Sequence, residues 1–477
     1  MSSNLTTREF IRRLALGTAG IAGTAAADEF TATNKTLPPG SIGDPANVWF
    51  GQRIFPLPHT IEDGPSCRME GGRIIMPARE IPVFHTTDVV VVGGGAAGFA
   101  AAIAAARAGS KVALVEQSGS LGGLFTNGMV LIVLATGVRQ EDGTWDLVTR
   151  GVCEEFMRRA QAMGAVASTG PVPKTRHWQP TIDPEAAKYL MDSMIAEAGV
   201  EMFFHASGLD VIQDGDRTLG VVFNSKQGLQ AIRARKIVDT TGDGDIYFAA
   251  GCGYRQITHG IGFVTRLANI DRVTAKKGPA DPGIAYDGKP NAWPTTSNEA
   301  NGTARWIGRL GPKGNGLSVR DVSKAEVLHR KYWWEHVTRM RKTPGWEQVY
   351  IANTCSQIGP RATRLLESEI ICDRAAVAAG RGADETVGWF GNCGAHNGMP
   401  LPFRALVPRT GGDVIAAGRC VGAPDTIDTF RLIAPCFVSG QAAGTAAALA
   451  AQKDVPIRSL GYGELRQKLL SAGVYLG

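Results

Sequence analysis

Between Asp88 and Glu116 the chain reads DVVVVGGGAAGFAAAIAAARAGSKVALVE, a stretch that leaves few folds open. Val89 to Val92 is an apolar, β-branched run with no polar alternation, the pattern of a strand buried on both faces. Ala96 to Ala108 is nearly all alanine, a strong helix former. Lys111 to Val115 is a second apolar run, so the unit is predicted as strand, helix, strand. Gly93, Gly95 and Gly98 stand at the G-x-G-x-x-G spacing. The first glycine allows a tight turn out of the strand. The second lets backbone approach a pyrophosphate, and the third lets the helix pack close to the strand. The N–H groups at the helix start, that of Ala97 among them, then face phosphate with a favourable dipole. Glu116 ends the second strand 18 residues after Gly98, where a carboxylate can accept from ribose hydroxyls. A glycine-rich turn in an α/β core is the alternative; the flanking elements and the acid favour a dinucleotide site.

The 477 residues are enough for two or more domains. With 44% hydrophobic and 20% charged residues the chain is globular rather than disordered. The net charge of +6 is small for this length. No dense Lys/Arg block is interleaved with aromatics, which argues against nucleic acid. No apolar stretch is read as long enough to span a membrane. None of the eight cysteines forms a CxxC or a Cys/His cluster of zinc spacing, so they are read as buried thiols and no metal site is expected.

At the N-terminus, TTREFIRRLALGTAGIAGTAAADEF carries Arg8, Arg12 and Arg13, a weakly apolar run, then Ala25 to Ala27. This is the layout of an export signal cleaved after Ala27. It resembles a twin-arginine signal, with Thr7 standing where the first arginine of the pair belongs. An uncleaved amphipathic helix is the alternative. The expected organisation is a signal over 1–27, an irregular extension over 28–85 and a dinucleotide-binding domain over 86–256. An inserted α+β domain rich in tryptophan follows over 257–350, and the first domain returns over 351–477. Within this, Asp183 is predicted to cap a helix with Pro184 at its first position.

Four segments together resemble the FAD-dependent oxidoreductases with a glutathione-reductase-type flavin domain, related to the fumarate reductase and succinate dehydrogenase flavoproteins. They are the Gly93–Glu116 unit, LGGLFTNGMV with Gly122 and Gly123, IVDTTGDGD with Asp243, and VIAAGRCVGAPDTIDTFRLIAPCFVSGQAAGTAAA. The resemblance implies a discontinuous Rossmann-like α/β domain with an inserted cap. It implies FAD held by Gly93, Gly95, Ala97, Gly98, Glu116, Gly122, Gly123, Gly208, Asp243, Gly418, Arg419, Pro435 and Cys436. Arg419 stands where relatives carry a Glu, and would offer donors to phosphate. Pro435 is expected at the first position of the last helix, whose positive end would face the flavin C2 carbonyl and N1. The chain has no second G-x-G-x-x-G after a strand, so electrons are expected to pass to or from a substrate and a separate protein, quinone or oxygen. SLGGLFTNGM has no His at the covalent attachment position of succinate dehydrogenase relatives. Non-covalent FAD is therefore expected, with Cys420, Cys436 or His396 as other attachment points.

For the chemistry, the resemblance implies His396 and Asn397 of GNCGAHNGMPLPF facing the substrate, and Arg431 of FRLIAPC holding it. Arg431 has an alternative as an ion pair with Asp425 or Asp428. His259 and Arg266 of the cap are further candidates, with surface polarity as the alternative. Arg361 and Arg364 are three apart and would share a helix face, with Glu367 as the expected partner. The predicted activity is hydride transfer between a small polar substrate and flavin N5. A fumarate-type enoyl reductase and an electron-relay or assembly subunit are the alternatives.

Overall fold

The structure, a computed structural model, describes residues 67–168, 179–215, 217–274, 295–298, 303–307, 313–391 and 398–477. Residues Met1–Arg79 and Glu80–Gly477 are two separate compact units. The first shows one antiparallel hairpin, Arg68–Glu70 with Arg73–Ile75. The second holds everything below.

Strand β1 (Val83–Val92) runs into helix α1 (Ala96–Arg107) and returns as β2 (Val112–Val115). Val89 to Val92 are at most 2% exposed, because β1 has a parallel neighbour on each side and is covered on both faces. The unit predicted from the sequence is therefore present, although β1 starts inside the segment assigned to the irregular extension. Helices α2 (Val152–Ala162) and α3 (Pro184–Glu197) follow. Asp183 caps α3 by accepting from Glu185 N and Ala186 N at 2.9 and 3.0 Å, and Pro184 opens the helix. Strands β3 (Glu201–Phe203), β4 (Ser207–Asp214), β5 (Arg217–Ser225) and β6 (Gly228–Asp239) complete the sheet path β4-β5-β6-β1-β2-β3. The path is antiparallel through β4-β5-β6 and parallel from β6 onward. The short helix α4 (Asp245–Ala249) leaves the end of β6.

Strand β7 (Tyr254–Gln256) leads to β8 (His259–Gly262) and β9 (Val264–Ala268). β9 is central in a four-stranded antiparallel sheet with β10 (Thr295–Asn298), β11 (Ala304–Ile307) and β12 (Tyr350–Thr354), in the order β10-β11-β9-β12. Helix α5 (Val319–Met340) belongs to this region. Its Trp333, Val337 and Met340 share a core with Phe263, Leu267, Trp346 and Val349. Because β12 pairs with β9, the inserted region runs past residue 350, where the sequence reading ended it. Strands β13 (Gly359–Pro360) and β14 (Arg364–Leu366) pair with β8 and β7. Arg361 and Arg364 thus lie in a turn and a strand rather than on one helix face.

The chain then returns to the first sheet as β15 (Val414–Ala416), parallel to the end of β6. After the four-residue helix α6 (Ile427–Phe430) comes α7 (Ile433–Lys453), then α8 (Tyr462–Ser471), which the sequence reading did not anticipate. Pro435 is the third residue of α7, not the first: Leu432 caps the helix and Ile433 begins it. A proline there still forfeits no intrahelical bond, since the first turn has no acceptors for its N–H groups. The small residues of α7 have a packing reason. A Cβ on Gly440 or Gly444 would stand 2.0 Å from the carbonyl oxygens of Ala97 and Ala101, so α7 and α1 touch backbone to backbone. Phe99 and Phe437 close this contact edge to face at 5.6 Å. Among the described residues α7 is the one helix long and apolar enough, by length and composition, to cross a membrane, against the expectation that no stretch is; its residues Ile433 to Ala451 are buried inside the fold.

Candidate functional site

The carboxyl ends of β1, β2 and β6 open onto one cleft. It is lined by Gly93, Gly95, Ala97, Glu116, Gly122, Gly123, Gly208, Asp243, Gly418, Arg419 and Cys436 among others. Eleven of the thirteen residues proposed from the sequence as cofactor contacts therefore meet here; Gly98 and Pro435 are set back from its wall. Gly98, the third glycine of the fingerprint, packs against its first, where a Cβ would stand 1.7 Å from Gly93 O. A larger cavity of about 1030 Å³ near Thr86, Arg217 and Asp413 contains none of the fingerprint. Volume does not choose the site; the convergence of these groups does.

The local sequence explains each wall. Gly93 turns at φ 99°, and a Cβ there would meet Thr240 O at 2.5 Å. The turn exposes the first N–H groups of α1, which have no partners within the helix and carry its positive end. Glu116 is 5% exposed. Its Oε2 accepts from Gly94 N at 2.6 Å and its Oε1 from Ser118 N at 2.7 Å, which fixes the carboxylate at the cleft edge with a lone pair on each oxygen to spare.

Asp239, the last residue of β6, is a residue the sequence reading passed over. Its Oδ1 accepts from Thr241 N and Oγ1 at 3.0 and 2.7 Å, and its Oδ2 from Ile246 N and Tyr247 N at 3.0 and 2.8 Å. Burial pushes this carboxyl up to about 6, against those donors. It thereby fastens both ends of the turn that presents Asp243. Asp243 Oδ2 lies 2.7 Å from Arg419 Nη2, and its Oδ1 accepts from Thr363 Oγ1 at 2.5 Å. Arg364 pairs with Asp245 at 2.9 Å and donates to Asp243 O at 3.0 Å, in place of the expected Glu367. Its guanidinium stacks 4.3 Å from the Phe248 ring.

Two features test whether a dinucleotide fits. Arg419 Nη1 is buried with no hydrogen-bond partner among the described residues, and so is Oε1 of Gln357, another cleft-lining residue. Orphaned buried polar groups are costly, and each is satisfied if a polar ligand lies in the cleft. A Cβ on Gly95 would meet nothing within 4 Å, so the space above this backbone is open where a pyrophosphate would lie against the start of α1. The residues present fit FAD.

At the α7 end, Arg431 lines the same cleft. It caps α6 and is 16% exposed. Its Nη2 and Nε donate to Asp428 Oδ1 at 2.7 and 3.2 Å, so the pair named as its alternative exists alongside its place in the cleft. Asp425 instead accepts from Arg374 N. His259 Nε2 is 3.5 Å and Arg361 Nη1 is 4.0 Å from the same Asp428 oxygen. Strand pairing brings these two together: Ile261 faces Pro360, and Arg361 N donates to Gly260 O at 3.2 Å. Burial and the nearby Arg431 and Arg361 lower His259, while Asp428 raises it. Burial first, then Arg431, pushes Arg361 down to about 10.

Arg266 stands apart from this cluster. It does not line the cleft, and its Nη2 is 3.6 Å from Asp183 Oδ2 at the start of α3. His396 and Asn397 lie outside the described residues. All seven described cysteines are free thiols, and only Cys67 is exposed. Asp428, Arg361, Gln357 and Asp239 were not assigned site roles from the sequence. The signal for Asp428 was its place three residues before Arg431 on a helical turn.

A search among curated proteins finds no match. Solved structures of similar outline share little sequence. A geranylgeranyl bacteriochlorophyll reductase-like protein from Thermoplasma acidophilum is 16% identical, covering 82% of this chain and 87% of its own, with a TM-score of 0.46. A p-nitrophenol 4-monooxygenase from Pseudomonas putida is 15% identical over 82% and 89%, with a TM-score of 0.42. A myxobacterial chondrochloren halogenase is 13% identical over 81% and 78%, with a TM-score of 0.44. A family model decides what these likenesses do not: it matches residues 88–469, and the chain belongs to the FAD dependent oxidoreductase family.

Proposed function

We propose that this FAD-dependent enzyme moves a hydride between a small polar organic substrate and N5 of a non-covalently bound FAD. The observation that carries the reading is the double position of Arg431, which lines the FAD cleft and heads a cluster with Arg361, His259 and Asp428. When bound, FAD supplies the two-electron chemistry; the chain must orient one carbon and manage one proton. Arg431 offers the planar fork that fixes substrate oxygen. His396 and Asn397 are the proposed proton-handling pair, with His259 as the cap-side alternative. In dehydrogenation the C–H bond breaks with its electron pair, and the O–H or N–H proton goes to that base. A separate protein, quinone or oxygen then takes the electrons.

Two thiol environments support non-covalent binding. Cys436 faces the cleft, but burial pushes its thiol up to about 12, and burial also raises Cys420 well above the usual thiol range. Thiols held protonated are poor nucleophiles. We also infer export directed by residues 1–27, on the spacing of Arg8, Arg12, Arg13 and Ala25 to Ala27. The test of function is anaerobic bleaching of the flavin by a panel of sugars, hydroxy acids and amines. One class should bleach it with saturation. If dithionite bleaches the flavin and no panel member does, the reading is wrong.

A further inference from the structure

The central sheet has a gap along one side of β6. On that side β5 pairs with β6 from Gly228 to Arg233, and β15 takes over only at Ile237. β1 fills the other side from Ala231 to Asp239, so residues 234–236 have β1 alone beside them. The gap opens into the cavity of about 1030 Å³. Thr218 Oγ1 of β5 ties its wall to the start of β15 by accepting from Asp413 N at 3.1 Å. Charge marks this cavity. Arg217, Arg233, Arg235, Lys236 and Arg458 line it against Asp413 and Asp454, an excess of three positive charges. Lys236 pairs with Asp413, which also accepts from Ile457 N at 2.8 Å, so that carboxylate is already engaged. None of the four arginines has a carboxylate within ion-pair distance among the described residues. Exposed arginines taken singly are ordinary, but four around one concavity focus a field that gathers anions. A second observation points the same way. Thr87 is 5% exposed and lines the cavity, and its Oγ1 is buried with no hydrogen-bond partner among the described residues. A ligand oxygen would remove that cost.

We propose that this gap is a second ligand site, apart from the FAD cleft, for a small anion carrying two or more phosphate groups. The cavity and the cleft share no lining residue. Lys236 stands four residues before Thr240 of the cleft, about 13 Å of strand. Phosphate suits the site better than carboxylate. A phosphate ester brings about two negative charges and three acceptor oxygens, enough to take guanidinium forks from two sides and a threonine hydroxyl besides. No aromatic side chain lines the cavity among the described residues, so nothing there stacks a nucleobase. The ligand is therefore read by its phosphates.

The test uses FAD-loaded protein at constant ionic strength, with FAD keeping pyrophosphate out of the cleft. The protein is titrated with pyrophosphate, ADP and succinate and read by calorimetry, while the visible flavin band reports any loss of FAD. Pyrophosphate and ADP should bind with saturation and similar affinity, and succinate much more weakly. Arg217→Gln and Arg233→Gln should each weaken pyrophosphate by about tenfold or more, the scale of one charge-assisted contact, with FAD content unchanged. Thr87→Val should also weaken it, while the ligand-free protein melts no lower than wild type because a methyl group replaces an orphaned hydroxyl. No folding defect produces that combination. Three results would overturn the proposal: no saturable binding of pyrophosphate, unchanged binding in both arginine variants, or succinate binding as tightly as pyrophosphate. Capture by heparin or by phosphatidylglycerol vesicles, with no binding of pyrophosphate, would overturn it too and make the arginines a surface for a polyanion or a membrane.

Discussion

Arg419 Nη2 lies 2.7 Å from Asp243 Oδ2, while Nη1 of the same guanidinium is buried without a partner among the described residues. The ion pair holds one arm and leaves the other without a protein partner on a residue that lines the FAD cleft. Replacing Arg419 by Met removes the free donor and also strands Asp243. Loss of one charge-assisted hydrogen bond is worth about 1.5–3 kcal/mol, so FAD should bind about tenfold to a hundredfold more weakly. Fluorescence titration of apoprotein with FAD measures this. An unchanged affinity would mean that Nη1 does not meet the cofactor.

Two glycine substitutions should behave in opposite ways. Gly95→Ala puts a methyl group where no protein atom lies within 4 Å, so the apoprotein should melt where the wild type does and lose FAD affinity. Gly440→Ala drives a Cβ to 2.0 Å from Ala97 O. Overpacking of this kind costs about 1–3 kcal/mol or more, so the apoprotein itself should melt lower. Thermal melts with and without FAD separate the two. A Gly95→Ala protein that binds FAD normally would remove the pyrophosphate from that backbone.

The part of the site legible in the sequence is the part built from backbone. Gly93, Gly95, Gly122, Gly123 and Gly418 were visible because a turn or a close approach leaves no other residue type available. The strand–helix–strand unit around them was visible for the same reason. The cluster at Asp428 was not, because it is assembled from β8, β13 and α6, segments about 70 to 170 residues apart whose union depends on strand pairing across the inserted region. Pairing also decided Arg361 and Arg364. Their three-residue spacing suggested a helix, but register with β8 and β7 sent one to Asp428 and the other to Asp245.

The cap region should carry an acid sensitivity of its own. His329 is fully buried, stacked 5.3 Å from Phe263, with Nε2 3.1 Å from Ile261 O. Burial pushes it down to about 4, below the ~6.5 of an unfolded histidine. The unfolded chain therefore takes the proton first. Stability is whole above about pH 6.5 and declines as the pH falls through 4, by roughly 3 kcal/mol at most. His329→Gln should flatten this dependence in melts from pH 7.5 to 4. An equally steep loss in the variant would place the acid sensitivity elsewhere.

His396→Asn should slow flavin reduction by substrate about a hundredfold, the scale of one acid–base group. It should also remove a pH dependence near neutrality from that step. If His259→Asn has the larger effect and His396→Asn has little, the proton passes through the cap side instead.

In the proposed reaction, substrate meets the flavin at Arg431. Its direct test is anaerobic stopped-flow reduction by the best substrate of the panel, in wild type and in Arg431→Lys at equal FAD content. Lysine keeps the charge but loses the planar fork held against Asp428 at 2.7 Å. The flavin-reduction rate of the variant should be lower by at least about tenfold with FAD still bound. An unchanged rate would contradict it.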